Sequence, residues 1–318
     1  MVYRHDPLYR SSGVILKKSR SLWPILLVSS LALASLFFFK HRLADRADVN
    51  SSAAENLQPT KGPTLASEEA LLGQIKNELE GKVGTYSVYV YDLDNGRSFG
   101  IHEKTVLTAA SVAKIPILAS LYYLSDRGEV DLDQTITLSQ SDIQDFGSGT
   151  IRYAQPGTVY SLKTLARLMM EKSDNTAAYI LGRQIIGFGK IQKLIQDWGL
   201  TQTDMENNKT SAQDMSILLT KMYKGELARD ALTKEMLGFM TTSDFEDRIP
   251  LLLPKETAIY HKTGDEIGNT HDVAIIHTAK GTYFLGILAL DLLNGEEEAK
   301  KAIAKVSKMV FDYQMQKH

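Results

Sequence analysis

Apolar residues recur at every fourth position at Leu71, Ile75 and Leu79, and Gly81 follows where a helix would stop. That spacing predicts an opening helix. The period then drops to two: Tyr86-Ser87-Val88-Tyr89-Val90-Tyr91 is β-branched and aromatic, and Asp94-Asn95-Gly96 makes a hairpin turn before Arg97–Ile101. Residues 111–240 read as a long helical region with short loops, including helices at Leu162–Glu171 and Ser211–Tyr223. Strand patterns return at Ala258–Lys262, Asp272–His277 and Thr282–Leu290, with Lys280-Gly281 turning the last two. Ala299, Ala302, Ile303, Val306, Met309, Val310 and Tyr313 form the stripe of a final helix. Strands come from both ends of this body and helices from its middle. The order predicts an α+β fold: an antiparallel sheet flanked by N- and C-terminal helices, plus an all-helical lobe. A ligand cleft is expected between the lobes.

The segment upstream reads differently. Residues 22–39, LWPILLVSSLALASLFFF, carry no charge and are long enough to span a membrane. Arg4, Arg10, Lys17, Lys18 and Arg20 precede them, and Lys40, Arg42 and Arg46 follow, which favours the N-terminus inside. The expected organisation is a cytoplasmic basic segment at 1–21, a transmembrane anchor at 22–39, a flexible stalk at 40–66 and a folded domain at 67–318. The chain would then cross the cell membrane once, with its domain extracellular or periplasmic. A cleaved signal peptide is the alternative, since Ala32-Leu33-Ala34 matches an A-x-A site. Cleavage there would leave Leu36-Phe37-Phe38-Phe39 at the start of the mature chain.

Composition narrows the chemistry. The 318 residues are 43% hydrophobic and 23% charged, ordinary values for a globular chain. A net charge of −2 gives no basic footprint, so nucleic acid is not an expected partner. Cysteine is absent, which excludes disulfides, thiolate nucleophiles and cysteine-held metals. The seven histidines form no H-E-x-x-H or H-x-H pattern, so neither a metal nor another cofactor is expected. His261 precedes Lys262, and strand alternation turns the two to opposite faces, which makes His261 structural.

Three motifs carry candidate chemistry, each present once and in this order: Ser111-Val112-Ala113-Lys114, Ser173-Asp174-Asn175 and Lys262-Thr263-Gly264. A serine hydroxyl attacks only if a base takes its proton. On a helix, positions i and i+3 share a face, so Lys114 reaches Ser111. The apolar run Val112, Ala113, Ile115, Ile117, Leu118, Ala119 and Leu121 predicts burial, which depresses a lysine pKa, and a second cation at Lys262 acts the same way. Lys114 is thus the candidate general base and Ser111 the nucleophile. Pro116 is tolerated only near a helix start, placing Ser111 at the N-terminus, where its own N–H can meet a developing oxyanion. The backbone at Asp265 is the candidate second donor. Ser173 is suited to relay a proton, Asn175 to hold a substrate amide, and Asp174 to brace its loop. Lys262 and Thr263 offer a cation and a hydroxyl to a substrate carboxylate, and Gly264 would let a substrate backbone lie against the strand.

This ordered trio resembles the class A β-lactamase-like serine hydrolases and penicillin-binding proteins over about residues 67–318, an association already established for these motifs. Thr108-Ala109-Ala110, Ile115-Pro116, Glu171-Lys172 and Thr176-Ala177 around the motifs agree. The resemblance implies an acyl-enzyme mechanism on β-lactams or D-alanyl-D-alanine peptides, peptidoglycan as the cellular partner, and a monomer. It departs from the family in two places. The E-x-x-L-N loop whose glutamate activates the deacylating water has no counterpart: residues 203–210 read Thr-Asp-Met-Glu-Asn-Asn-Lys-Thr and run straight into the next helix. Glu206 is the one glutamate there, a candidate deacylating base against the alternative of a solvated loop residue. The arginine often found after K-T-G is also missing; Asn269-Thr270-His271-Asp272 stand there, leaving Thr270 or His271 as weak substitutes. Slow β-lactam turnover and D,D-peptidase work on peptidoglycan remain open. A non-turnover wall- or β-lactam-binding sensor module is the rival of another class.

Overall fold

The computed structural model describes residues 67–316, so the expected basic segment, anchor and stalk lie outside the described residues. Among the described residues, no helix is long and apolar enough to cross a membrane.

Helix α1 (Glu68–Leu79) starts at Ser67, whose hydroxyl accepts the Ala70 N–H at 3.2 Å, and it carries Glu68 and Glu69 in its first turn. Strands β1 (Thr85–Asp92) and β2 (Ser98–Ile101) form the hairpin anticipated at Asp94-Asn95-Gly96. The short β3 (Leu107–Thr108) leads through a 3₁₀ turn at Ala110–Ala113 into α2 (Lys114–Asp126). Next come β4 (Thr135–Thr137), β5 (Val159–Ser161), α3 (Leu162–Glu171) and α4 (Asn175–Tyr179). A π-helical stretch at Ile180–Ile186 separates α4 from α5 (Phe188–Asp197). The chain continues through β6 (Lys209–Thr210), α6 (Ala212–Tyr223) and α7 (Asp230–Gly238). It closes with β7 (Ala258–Glu266), β8 (Asn269–Thr278), β9 (Gly281–Leu290) and α8 (Glu296–Met315).

The main sheet runs β2-β1-β9-β8-β7 and is antiparallel at every pairing. Its two faces follow the period-two alternation. Val88, Val90, Ala274, Ile276, Leu285 and Ile287 pack on α1 and α8, while Tyr89, Val273, Ile275, Phe284 and Leu288 join the core of the helical lobe. At the centre of that lobe α2 is buried on every side, from Ile115 to Leu124. The layered α+β architecture is the one the order of elements predicts.

Three details differ from expectation. The strand expected at Ala258–Lys262 continues to Glu266, because Asp265 and Glu266 pair with Thr270 and Asn269. Pairing across the sheet overrides the turn-like composition Gly-Asp-Glu. The α-helix after the nucleophile motif begins at Lys114 rather than at Ser111, which sits in the 3₁₀ turn. Three short strands, β4, β5 and β6, interrupt the helical region, β4 pairing with β5 and β6 with β3 just ahead of it; two or three residues are too few to leave a periodic signal.

Candidate active site

The three motifs converge where the edge strand β7 meets the N-terminal end of α2. Lys114, 5% exposed, lies at the centre. Its Nζ is 2.8 Å from Ser111 Oγ, 2.7 Å from the Ser173 carbonyl, 3.1 Å from Ser173 Oγ and 2.7 Å from Asn175 Oδ1. The Asn175 amide orientation follows from its Nδ2, which donates to the Phe146 carbonyl at 3.1 Å. The Ser173 carbonyl and Asn175 Oδ1 can only accept. A neutral amine that donates its two hydrogens to them keeps its lone pair for the Ser111 hydroxyl. Burial, and then the neighbouring Lys262, hold Lys114 well below the ordinary lysine range, with Asp174 opposing. An uncharged Lys114 is the form that can take the Ser111 proton.

Ser173 Oγ links the two lysines, with Lys262 Nζ at 3.0 Å. Lys262 also donates to the Thr263 carbonyl at 2.9 Å and is 1% exposed. Burial pulls Lys262 down to about 7, against the pull of Asp272 and with that of Arg248. The site thus pairs a depressed base with a lysine that changes charge near neutrality, joined through one hydroxyl.

Both serine motifs are set by left-handed backbone. Ala110, just before Ser111, has φ 47°, and Ser173 has φ 51°. Non-glycine residues hold that conformation at a cost of order 1–3 kcal/mol each, persisting only where surrounding structure over-determines it. Around Ser173 that structure is Asp174, which is 1% exposed and braces its loop as expected. Its carboxylate accepts N–H groups from Thr150 at 2.7 Å, Ile151 at 2.9 Å and Ala177 at 3.0 Å. Gly149 makes this possible, since a Cβ there would stand 2.4 Å from Asp174 Oδ2. Around Ala110, the Ala109 N–H donates to the Asn208 carbonyl at 2.8 Å, and His271 Nε2 meets the Thr108 carbonyl at 2.9 Å.

Several site residues are placed differently from expectation. At Gly264 a Cβ would lie 3.1 Å from the Ala109 carbonyl and 3.2 Å from the Val112 N, so the chain's own nucleophile turn fills the room expected for a substrate. Glu206 is not brought to Ser111. Residues 204–209 form a tight hairpin, with reciprocal Asp204–Lys209 backbone bonds of 2.9 Å. Glu206 sits on its tip, 64% exposed at the side chain, with both carboxylate oxygens 3.1 Å from Arg183 Nη1. The π-helical stretch carries Arg183 to that position.

Thr270 and His271 do not replace the missing arginine, because both are already bonded. Thr270 Oγ1 donates to Asp265 Oδ1 at 2.8 Å. Besides its bond to Thr108, His271 accepts the Ala289 N–H on Nδ1 at 3.2 Å; burial keeps it neutral, pushed down to about 4. The residue that sequence reasoning missed is Arg248, fully buried in the loop before β7. Its Nη2 bonds both Asp265 oxygens, at 2.6 and 2.7 Å. No spacing rule ties a loop arginine to a later strand; its one signal is a lone cation beside Ile249-Pro250-Leu251.

Behind β7, His261 is structural, as expected. Nδ1 is 3.0 Å from Asp272 Oδ1 and Nε2 is 3.3 Å from Glu246 Oε1. Burial alone would lower His261, but the two carboxylates outweigh it and hold it at about 9.

Comparison with known proteins agrees with this arrangement. The model of the beta-lactamase enzyme family, Beta-lactamase2, matches residues 70–314. The curated relatives include beta-lactamase VEB-1 from Pseudomonas aeruginosa, 24% identical, covering 79% of this chain and 93% of that one. Among solved structures, PBP-A is 30% identical with a TM-score of 0.70, covering 77% of this chain and 95% of its own. A PBP-A mutant solved as an acyl-enzyme complex with penicillin G is 29% identical with a TM-score of 0.71, covering 78% of this chain and 96% of its own. A match over most of the folded body, joined to the trio of motifs gathered on one lysine, means that this chain belongs to the beta-lactamase enzyme family, as a class A β-lactamase-like serine hydrolase.

Proposed function

We propose that Ser111 attacks the acyl carbon of β-lactams and of related peptide donors, with Lys114 as general base and Ser173 as the relay that returns the proton to the leaving nitrogen. The observation that carries this reading is the Lys114 Nζ contact with Ser111 Oγ at 2.8 Å, made by a lysine whose other close partners are two acceptors and one hydroxyl. Asn175, Lys262 and Thr263 hold the donor, and the backbone N–H groups of Ser111 and Asp265 face the oxyanion.

The acyl-enzyme is released slowly. A deacylating water needs a base within hydrogen-bond reach, and the carboxylate nearest in sequence is turned onto Arg183. Glu206 held on Arg183 favours a penicillin-binding, D,D-peptidase-like role on peptidoglycan over efficient antibiotic hydrolysis, and the likeness to PBP-A supports the same side. The uncharged run at 22–39 supports a single-pass anchor, with the domain on the outer side of the cell membrane.

Intact mass over time, on the full-length chain with benzylpenicillin, tests the reading. The expected result is a long-lived adduct on Ser111, absent in Ser111→Ala; labelling of that variant would remove Ser111 from the mechanism. Hydrolysed penicillin with no lasting adduct would reject slow release, and neither product would leave the non-turnover binding module. Glu206→Gln is expected to change the decay of the adduct less than twofold; a tenfold slowing would return Glu206 to the site.

A further inference from the structure

His271 is a buried histidine to which the acylation chemistry gives no task. It lies on β8 directly opposite Gly264, so the ring and the bare glycine share the face of the sheet that meets the nucleophile turn. With no side chain at Gly264, the turn packs close enough for the ring to reach it. Both ring nitrogens are committed, and their partners fix the tautomer. The Ala289 N–H, 3.2 Å away, can only donate, so Nδ1 accepts. The ring, kept neutral by burial, then carries its one proton on Nε2, 2.9 Å from the Thr108 carbonyl, which can only accept. That carbonyl belongs to the same planar peptide unit as the Ala109 N–H, which donates to the Asn208 carbonyl at 2.8 Å. One peptide plane is thus pinned at both polar ends, by β8 on one side and by the 204–209 hairpin on the other. Ala110, with φ 47°, and then Ser111 follow it. Rotation of that plane would let Ala110 leave its left-handed well and would carry the Ser111 N–H and Oγ away from Lys114.

We propose that His271 is a positioning residue for the nucleophile: its Nε2–H, by holding the Thr108 carbonyl, keeps Ser111 in line with Lys114 and aims the Ser111 N–H at the oxyanion. Nδ1 is held in turn by β9, so the pairing of β8 with β9 sets the aim. The clamp acts on the attack step and not on donor binding, because its bonds go to the backbone of Thr108 and Ala289 and not to Asn175, Lys262 or Thr263. The inference rests on acylation of Ser111 as proposed above.

Two substitutions separate the bonds of the ring. The amide of His271→Gln reaches the position of Nε2 and keeps a donor for Thr108 while giving up Ala289. The amide of His271→Asn reaches the position of Nδ1 and keeps an acceptor for Ala289 while giving up Thr108. Acylation of the full-length wild type and both variants by benzylpenicillin is followed by quenched-flow mass measurement over a range of concentrations, with rates scaled to the folded fraction read by near-UV circular dichroism. In His271→Asn the limiting rate of adduct formation is expected to fall about tenfold to a hundredfold, the scale of a misplaced reacting group, with the half-saturating concentration within about twofold of wild type. His271→Gln is expected to keep its limiting rate within about threefold, because the Thr108 bond survives. Should His271→Asn fail to fold, His271→Leu, which fills the space with no polar atom, takes its place with the same loss expected. Equal limiting rates in all the folded proteins would mean that the ring only packs. Equal losses in His271→Gln and the variant without a donor would mean that the Thr108 bond does not set the rate. A higher half-saturating concentration at an unchanged limiting rate would move the effect to donor binding. Each of these three results would overturn the proposal and leave the acylation reading standing. No adduct on wild type would overturn the acylation reading, and this proposal with it.

Discussion

Lys114→Ala is expected to slow acylation of Ser111 by about a hundredfold to ten-thousandfold, the usual contribution of a positioned general base. The variant removes the one amine in contact with the Ser111 hydroxyl and leaves Ser173 Oγ bonded to Lys262 alone. Adduct formation by quenched-flow mass measurement reads the effect. A loss under tenfold would mean that another group takes the proton. The pH profile gives a second reading. Lys114 must be uncharged to act, so wild-type acylation falls on the acid side as Lys114 gains a proton. Lys262 loses its charge around pH 7, so any step that uses its cation falls on the alkaline side from there. Lys114→Ala is expected to lose the acid limb and keep the alkaline one.

Asp272→Ala is expected to destabilise the fold by about 3–5 kcal/mol, the range for breaking a buried ion pair from one side. At roughly 2–4 °C per kcal/mol for a body of this size, Tm falls by about 10 °C. The reason is local. Asp272 is fully buried, holds His261 Nδ1 at 3.0 Å and accepts the Ile249 N–H at 3.0 Å. His261 is raised from 6.5 to about 9 in the folded protein. A raised histidine contributes stability that is fully present below its unfolded pKa, about 6.5, and is lost as pH rises through about 9. The share is about 3 kcal/mol at 1.36 kcal/mol per unit. Asp272 also favours the charged form of Lys262, so that share fades in the same direction. The gap in Tm between wild type and Asp272→Ala should therefore narrow from pH 6.5 to 9. A gap that stays constant across that range would locate the loss in packing rather than charge.

Much of this was legible in the residues, for identifiable reasons. The helix Leu162–Glu171 was readable to the residue, because Ser161 caps it and its apolar stripe is regular. The contacts of Lys114 with Ser111 follow from helical spacing, and its depressed pKa follows from the apolar run around it. What escaped was set by tertiary pairing. The extension of β7 to Glu266 depends on β8, and the capture of Asp265 by Arg248 joins a loop to a strand with no fixed interval. The destination of Glu206 was invisible for the same reason: a π-helical stretch, not a sequence motif, delivers Arg183 to it.

The sheet has a consequence for how the protein is made. Strand β1 pairs with β9 so that Thr85 faces Leu290, and roughly 200 residues separate the two partners. Closing so long an interval is slow, because chain entropy is lost before the pairing rewards it. During synthesis the hairpin of β1 and β2 emerges with one edge of β1 unpaired, and it waits for the last strands to leave the ribosome. Val88, Val90 and Tyr89 lack their β9 neighbours through that interval, and a chain ending before Gly281–Leu290 would hold the Ser111–Lys114 motif without the Phe284 and Leu288 that complete the core around it.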